Sequence, residues 1–430
     1  MEKYKARVES IAPGVRFCAV KADTFKTARL NFTMAMPLEG DIAARALLPF
    51  LLHRSGRKYP DFSQLNARLA ELYGAALSAG VSKLGEAQIM SLTINAIDDR
   101  FALDDESVAL NCARLLLDLV FDPNVRDGSF LPEDMKREKR LLSEKIDSEK
   151  NNKQLYALRR CESLMCQGES YGLNPLGEKR EVESLDGERV FKAWQESLKK
   201  AKIQITMAGS TDSDLVLQTL KDAFANLERE DVDIKTNFIK APEKEEYFSE
   251  EMAVEQGKLV LGFRAGMAHE DDNREAIMLM TYLYGGSPHS KLFLNVREKM
   301  SLSYYCSSNF VKAKGLIFVQ SGIDTDKEEA ATRAILAQLE EIKKGQVSQE
   351  ELHTSKLSIA DSLRAVEDSP ENIVTWYGGQ LLRPSFTTPF EEIEKIEKIE
   401  LEQVVEAAKK VRLDTVFMLK GSGEGETDEN

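Results

Sequence analysis

The sequence has no long hydrophobic run. Its longest stretch without a charged residue, 276–290, contains a Gly-Gly pair and Pro288 and is shorter than the roughly 20 residues of a membrane-spanning helix. The amino-terminal residues lack the apolar core and small-residue cleavage site of a secretory signal. We therefore expect a cytoplasmic protein with no membrane partner.

Cysteine is scarce. The chain has 430 residues and five cysteines, which are too few and too scattered for a disulfide scaffold and which fit a reducing compartment. They are Cys18, Cys112, Cys161, Cys166 and Cys306. No second Cys or His pair follows Cys161 and Cys166, so the sequence does not predict a zinc site there.

Histidine is scarcer still, and the four residues are His53, His269, His289 and His353. None has a second histidine within a helical turn, whereas a zinc site needs at least three protein ligands. The glycine spacings of P-loops and dinucleotide-binding folds and the nucleophile elbow of hydrolases are missing as well. These observations argue against a histidine-based metal site and against phosphoryl-transfer or acyl-enzyme chemistry.

Positive charge is in deficit, because the chain has 58 Lys and Arg residues but 72 Asp and Glu residues, which gives a net charge of −14. An acidic protein repels phosphate backbones and anionic membranes, so we expect no nucleic-acid partner. The 25 glycines and 12 prolines are too few for a low-complexity chain. The length predicts two or three globular domains.

The sequence contains an internal repeat, in which the same order of predicted elements occurs in both halves. In the first half, a strand-like run at 88–97 precedes Asp98, a helical pattern, and a long charged helix that opens at Leu131-Pro-Glu-Asp. In the second half, 316–323 precedes Asp324, and the same two helical patterns follow in the same order. A repeated supersecondary unit indicates a duplicated architecture.

The ends of the two halves also correspond. Residues 190–210 and 404–422 each predict a helix, a strand and a Gly-Ser pair. The second long helix opens at Ser348, which has capping-box spacing to Glu351. Because strands adjoin one another in places instead of alternating strictly with helices, the fold class predicted is α+β, built twice.

The domain boundary is predicted from charge. Thirteen of the 24 residues in 228–251 are charged, which indicates a solvated linker. We predict a first α+β half at 1–227, a second at 252–420, and a Gly-rich, acidic, disordered tail at 421–430.

One segment carries a family resemblance. The run Ser290-Lys-Leu-Phe-Leu-Asn-Val-Arg-Glu-Lys, followed by Leu302-Ser-Tyr304, resembles the signature of the pitrilysin and insulinase superfamily of inverted-zincin peptidases, which includes mitochondrial processing peptidase. The resemblance spans nearly the whole chain. It implies two similar halves, each a mostly antiparallel sheet packed with helices, which agrees with the repeat.

The resemblance also implies a zinc site that this chain has lost. Family members bind zinc through a His-x-x-Glu-His motif on a helix and a Glu on a later helix, and the motif Glu is the general base. With Gly56 aligned to the glycine after the motif, its functional positions fall on Leu47, Phe50 and Leu51. The distal ligand falls on Lys145, with Glu144 one residue away. Apolar side chains and a cation cannot bind zinc, so we expect no metal here.

A second implied site survives. Family members use an Arg and a Tyr seven residues later to hold the substrate backbone, and Arg297 and Tyr304 occupy those positions. Guanidinium and phenol are donors that suit a peptide carbonyl. The structural alternative is that Arg297 caps its helix and Tyr304 packs under a strand, and Tyr305 is the expected core residue. Gly285-Gly286 fits a helix-ending turn or an adaptable loop.

These observations predict a non-catalytic, peptide-binding subunit of a heterodimeric zinc metallopeptidase. Its partner would be a homologous subunit that holds the zinc, and its ligand a peptide or protein substrate. The alternatives are a structural or scaffolding subunit without a role in proteolysis, and an independent hydrolase with an unconventional site. The pattern is similar to that of a bacterial subgroup connected with modification of elongation factor P.

Overall fold

The computed structural model describes residues 4–103 and 106–421. Of the predicted tail 421–430, Gly421 ends a strand and 422–430 lie outside the described residues. The strands are β1 (Ala6–Ala12), β2 (Val15–Lys21), β3 (Thr27–Pro37), β4 (Ala76–Leu84), β5 (Ala87–Ile97), β6 (Val125–Arg126), β7 (Ser129–Phe130), β8 (Lys202–Gly209), β9 (Glu246–Met252), β10 (Gly257–Arg264), β11 (Tyr305–Val311), β12 (Leu316–Ile323) and β13 (Arg412–Gly421).

The helices are α1 (Ile42–Arg54), α2 (Phe62–Glu71), α3 (Val108–Phe121), α4 (Pro132–Ser148), α5 (Lys153–Met165), α6 (Lys179–Ser184), α7 (Gly187–Lys200), α8 (Ser213–Phe224), α9 (Arg274–Thr281), α10 (Glu328–Lys343), α11 (Gln349–Arg364), α12 (Pro370–Gly378), α13 (Pro389–Glu397) and α14 (Leu401–Lys410). Several helices, among them α1, α2, α5, α7, α8 and α12, begin where a side chain satisfies a free backbone N–H group. The predicted capping box is confirmed, since the Ser348 N–H donates to Glu351 Oε2 (2.7 Å) and the Glu351 N–H donates to Ser348 Oγ (3.1 Å).

The chain forms two compact units that exchange segments. Unit 1 comprises Met1–Ile146, Leu173–Lys235 and Arg364–Thr388, and unit 2 comprises Asp147–Gly172, Thr236–Leu363 and Pro389–Asn430. The predicted halves were continuous in sequence. The units differ from them because 147–172 contributes to unit 2 and 364–388 contributes to unit 1.

Each unit contains one mostly antiparallel sheet. In unit 1 the strand order is β1-β2-β8-β3-β5-β4, and β2 pairs with β8 in parallel while the other pairs are antiparallel. In unit 2 the order is β11-β12-β10-β13-β9, and β13 pairs with β9 in parallel. The two orders match strand for strand when one is reversed, with β1 as an addition in unit 1. This correspondence confirms the predicted fold class and its two sheet-containing halves.

In unit 1 both faces of the sheet are buried. Ile203, Ile205 and Met207 of β8 face the main core, which α1, α3 and α7 help to form. On the opposite face α12 packs its Ile373 and Val374 against apolar residues of β2 and β8. A helix from the second half of the sequence therefore covers the second face of the first sheet.

Unit 2 repeats this arrangement with α5, which comes from the first half of the sequence. Its Ala157, Cys161 and Met165 pack with residues of β10, β12 and β13. A Cβ atom on Gly262 of β10 would lie 2.6 Å from Met165 Sδ, so glycine is required there by the close approach of α5. Exchange of one helix in each direction explains why the units are discontinuous in sequence.

The predicted linker 228–251 differs in part from the structure. Residues 227–245 form no helix or strand, and the change of unit after Lys235 falls among them. The end of the segment, however, belongs to β9, which pairs with β13 along the edge of the second sheet. Lys202 also forms an ion pair with Asp231 (3.0 Å). High charge density marked a surface segment, but the backbone groups of its last residues are paired within a sheet.

All five cysteines are buried and free of disulfides. Burial raises the pKa of Cys18, Cys112 and Cys306 to about 12, so these thiols stay protonated at neutral pH and are poor nucleophiles.

Among the described residues, no helix has both the length and the apolar character needed to span a membrane.

A buried ion network ties the exchanged segment of unit 2 to its sheet. Glu169, which follows α5, accepts from Arg264 (2.6 Å) and pairs with Lys314 Nζ (2.7 Å), and Arg264 also pairs with Asp414 (2.9 Å). These four side chains are almost fully buried. Burial alone would raise the pKa of Glu169, but the hydrogen bonds from Arg264 and Lys314 outweigh it and lower that pKa. The network therefore stabilises the fold when Glu169 is ionised.

We predict that Glu169→Gln lowers the free energy of unfolding by about 3 kcal/mol, because it leaves two buried cations facing one carboxylate. Urea unfolding at pH 7 measures it. The matched control is Glu144→Gln, since Glu144 pairs with Arg140 on an exposed helix face and should change stability by less than about 0.5 kcal/mol.

The pH dependence follows from the lowered pKa of Glu169. Its contribution to stability is present above the pKa of the unfolded state and is lost as the pH falls through the lower pKa of the folded state. The difference between wild type and Glu169→Gln should therefore shrink in acid. Equal stability of the two proteins at pH 7 would contradict the role given to this network.

Candidate functional site

The positions aligned to the zinc motif lie in α1. Leu47 and Leu51 are buried in the core of unit 1, and Phe50 is half-buried at its edge. Asp41 caps the helix by accepting from the Ala44 N–H (3.2 Å). Pro49 lies inside the helix, beyond its first turn, and therefore removes one backbone hydrogen bond. These three positions therefore contribute to the core of unit 1 or to its edge.

The distal position lies on α4, which faces the same end of α1. Lys145 Nζ lies 5.2 Å from the centre of the Phe50 ring, a cation–π contact. Glu144 instead pairs with Arg140 (2.7 Å) on the exposed side of α4. The structure therefore brings together two of the aligned positions, Phe50 and Lys145, and leaves Glu144 outside.

Between these helices lies a groove of about 290 Å³. We call it the α1–α4 groove. Its apolar lining comes from Phe50, Phe62, Leu141 and Leu142, and its polar lining from His53, Arg54, Arg137, Glu138 and Lys145. All of these residues belong to unit 1.

Two side chains in the groove could bind a metal, and both have other partners. His53 Nε2 lies 3.1 Å from the carbonyl of Leu77, and burial lowers the pKa of His53. Glu138 lies 3.8 Å from Arg54, and burial raises its pKa. Within the described parts of the chain, no group of three or more His, Cys, Asp or Glu side chains is arranged to hold a metal ion.

We predict that the purified chain, incubated with zinc and desalted, retains well below one equivalent of the metal. Two potential ligands, one of them held by a backbone carbonyl, are fewer than a zinc site requires. Plasma mass spectrometry measures the metal, and His53→Ala should leave the trace amount unchanged. One equivalent of zinc that disappears in His53→Ala would show that the groove is a metal site.

Arg297 lies in an unusual helical segment. The corresponding part of unit 1 is the regular helix α2, but Leu292–Lys299 is π-helical, and so is Tyr282–Gly286. The Arg297 guanidinium lies 4.5 Å from the centre of the Phe293 ring and 3.7 Å from a Glu298 carboxylate oxygen. Its side chain is 39% exposed. Arg297 therefore keeps a free face toward solvent, and π-helical turns are frequent at functional sites.

Gly285 and Gly286 end the first of these π segments, which agrees with the helix-ending role among the two roles considered. A Cβ atom on Gly285 would lie 2.7 Å from the Ser308 backbone nitrogen of β11. Glycine is therefore required there because the helix end lies against the strand.

Tyr304 directly precedes the edge strand β11 and is 54% exposed, so it does not pack under a strand. Its hydroxyl donates to Asp324 Oδ1 (3.1 Å), and its backbone N–H donates to the Gly322 carbonyl (2.9 Å). Hydrogen bonds from Lys327 and then from Tyr304 lower the pKa of Asp324. Asp324 is therefore ionised at neutral pH and holds the phenol in one orientation.

Tyr305 has the environment of a packing residue. Its ring lies against Gly322, where a Cβ atom would be 2.5 Å from the ring, and burial raises its pKa to about 12. Arg297 and Tyr304 form no hydrogen bond with each other within the described part of the chain, and each has its own partner. Sequence reasoning missed those partners, Phe293 and Asp324.

Comparison with known proteins identifies the family. A curated protein of Bacillus subtilis named "Probable inactive metalloprotease YmfF" is 31% identical over 426 residues, which cover 97% of this chain and 99% of that protein. Residues 184–359 match the family model described as the Peptidase M16 inactive domain. The chain belongs to the M16 peptidase family. The resemblance drawn from the sequence is thereby confirmed.

Solved structures share the fold. A conserved protein from Enterococcus faecalis has a TM-score of 0.87 and 27% identity, covering 97% of this chain and 99% of that chain. A Pseudomonas fluorescens structure titled as a peptidase M16 inactive domain has a TM-score of 0.79 and 18% identity, covering 97% and 98%. This M16 chain therefore shares its fold with these proteins over nearly its whole length.

Proposed function

We propose that this M16 chain is the non-catalytic, peptide-binding subunit of a heterodimeric zinc metallopeptidase. A homologous subunit would hold the zinc, and Arg297 and Tyr304 would hold the backbone of the substrate beside the scissile bond. The observation that carries the proposal is that two exposed polar side chains are fixed by their own partners next to an edge strand. The positions aligned to the zinc ligands, in contrast, are apolar or cationic.

The geometry supports different roles for the two side chains. Arg297 keeps several N–H donors beyond its contact with Glu298, so it would donate to a peptide carbonyl. Tyr304 already donates its single proton to Asp324, so its oxygen would accept from a peptide N–H. Together they would bind both kinds of backbone group, which requires no particular substrate side chain.

The first prediction of this proposal concerns assembly. The epitope-tagged chain, purified from its native host, should bring with it an M16 homologue that contains His-x-x-Glu-His. Light scattering should give the summed mass of one copy of each chain. A stable interface of this kind buries more than roughly 1,000 Å², so the complex should stay together during the measurement. Two folded chains that elute separately at micromolar concentration would rule out the heterodimer.

The second prediction concerns turnover by the assembled pair. Arg297→Ala should lower kcat/KM for peptide cleavage about a hundredfold, the typical cost of removing a donor at the reacting group. Tyr304→Phe removes one neutral hydrogen bond and should lower kcat/KM about tenfold. Tyr305→Phe is the control and should change cleavage little, because that ring serves packing.

Asp324→Ala tests the direction of the Tyr304 hydrogen bond. If the hydroxyl accepts from the substrate, removal of Asp324 frees the phenol from its fixed orientation and lowers kcat/KM. Faster cleavage would instead show that Tyr304 donates to the substrate and that Asp324 competes for its proton. Unchanged kinetics in both Arg297→Ala and Tyr304→Phe, with assembly intact, would leave this subunit a scaffolding role.

A further inference from the structure

The α1–α4 groove has no role in the function proposed above, although its composition is that of a binding site. Four apolar side chains line it, and two of them, Phe62 and Leu141, are 44% and 39% exposed. A volume of about 290 Å³ is near the lower end of small-ligand pockets, enough for one or two bulky side chains. Apolar surface of this kind gains stability when a ligand removes it from water.

The charges around the groove oppose those of the whole chain. Arg54, Arg137 and Lys145 line it against one carboxylate, Glu138. His53 adds no charge at neutral pH, because burial lowers its pKa. The lining residues therefore carry a net charge of about +2, which falls to about +1 when Asp134, the partner of Arg54, is included, on a protein whose net charge is −14. A ligand that complements this groove is apolar and carries a negative charge.

The three cations are not equivalent. Arg54 is held by Asp134 (2.6 Å), and Lys145 lies over the Phe50 ring. Arg137 forms no ion pair within the described part of the chain and is exposed. It lies one helical turn before Leu141, so a carboxylate next to an apolar group can reach Arg137 while the apolar group lies in the groove.

We propose that the α1–α4 groove binds the carboxyl-terminal residue of a peptide whose last side chain is bulky and apolar. The side chain packs between Phe50, Phe62 and Leu141, and the terminal carboxylate pairs with Arg137. A terminal residue combines an apolar group and a carboxylate on one Cα atom, which matches the adjacent placement of Leu141 and Arg137.

The test uses the full chain alone, so its result is independent of any partner subunit. The probe is an amino-terminally fluorescein-labelled pentapeptide that ends in phenylalanine, and fluorescence anisotropy measures its Kd. We expect the free acid to bind about fivefold more tightly than the same peptide with a terminal amide, the size of one exposed ion pair.

Variants on one helix locate the site. Arg137→Gln should abolish the preference for the free acid, and Leu141→Ser should weaken binding of both peptides. Arg140→Gln is the matched control. It removes the same charge from the same helix, three residues after Arg137, but Arg140 pairs with Glu144 and does not line the groove. Arg137 and Leu141 are exposed, so neither change should unfold the protein, and circular dichroism checks this.

Three outcomes would overturn the proposal. Equal affinity for the acid and the amide peptide would show that the terminal carboxylate does not pair with Arg137. Unchanged affinity in Leu141→Ser would show that the peptide binds outside the groove. Tighter binding of dodecanoate than of the peptide, lost in the same variants, would make the ligand a fatty acid instead. Failure of the heterodimer to form would affect none of these measurements.

Discussion

Each sheet has two apolar faces. One face of each sheet is covered by a helix that comes from the other half of the sequence. In unit 1 the second face includes Cys18, Val20 and Ala208, which α12 covers. In unit 2 it includes Val260 and Phe318, which α5 covers. Removing such surfaces from water is the main source of stability in a domain of this kind. The halves therefore cannot be separated at residues 228–251 without uncovering one face of each sheet, although the repeat makes them look like independent domains.

The same constraint explains how much of the fold was predictable. The duplication, the α+β class and the capping box at Ser348 follow from order and spacing along the chain, which are local properties. The exchange of α5 and α12 is not local, because amphipathic periodicity shows that a helix has an apolar face but not which sheet receives it. One signal was present in Gly262, since a glycine inside a strand often marks the close approach of another element. That glycine could not reveal that the approaching helix was α5.

At the candidate site, side-chain chemistry was predictable and partners were not. Leucine and phenylalanine cannot bind zinc wherever the helix lies, so the loss of the motif follows from residue type once the register is set. The sequence left Lys145 and Glu144 as alternatives for the distal position, and it did not reveal that Lys145 contacts Phe50 while Glu144 pairs with Arg140. Asp324 was visible as the repeat of Asp98, but the two have different environments. Asp98 is fully buried and accepts from Ser210 and Arg100, whereas Asp324 is half-buried and accepts from Tyr304. No tyrosine stands at the corresponding place in the first half, so the repeat alone could not assign the role.

The two copies of one architecture thus present different surfaces for a physical reason. In unit 1, α1 and α2 are regular helices, and Phe50, one of the positions aligned to the zinc motif, adds an apolar side chain to the α1–α4 groove. In unit 2 the regular helix α9 continues into the π-helical segment Tyr282–Gly286, and the segment that corresponds to α2 is π-helical, with the Met300 N–H donating to the carbonyl of Asn295 five residues earlier (3.0 Å). Such turns persist only where tertiary contacts hold them, and here Asn295 is anchored by Gln338 while Gly285 lies against β11. The wider turn changes the direction in which Arg297 projects from its helix. A change of helix type, and not only of residue type, therefore distinguishes the half that contains Leu47, Phe50 and Leu51 from the half that contains Arg297 and Tyr304.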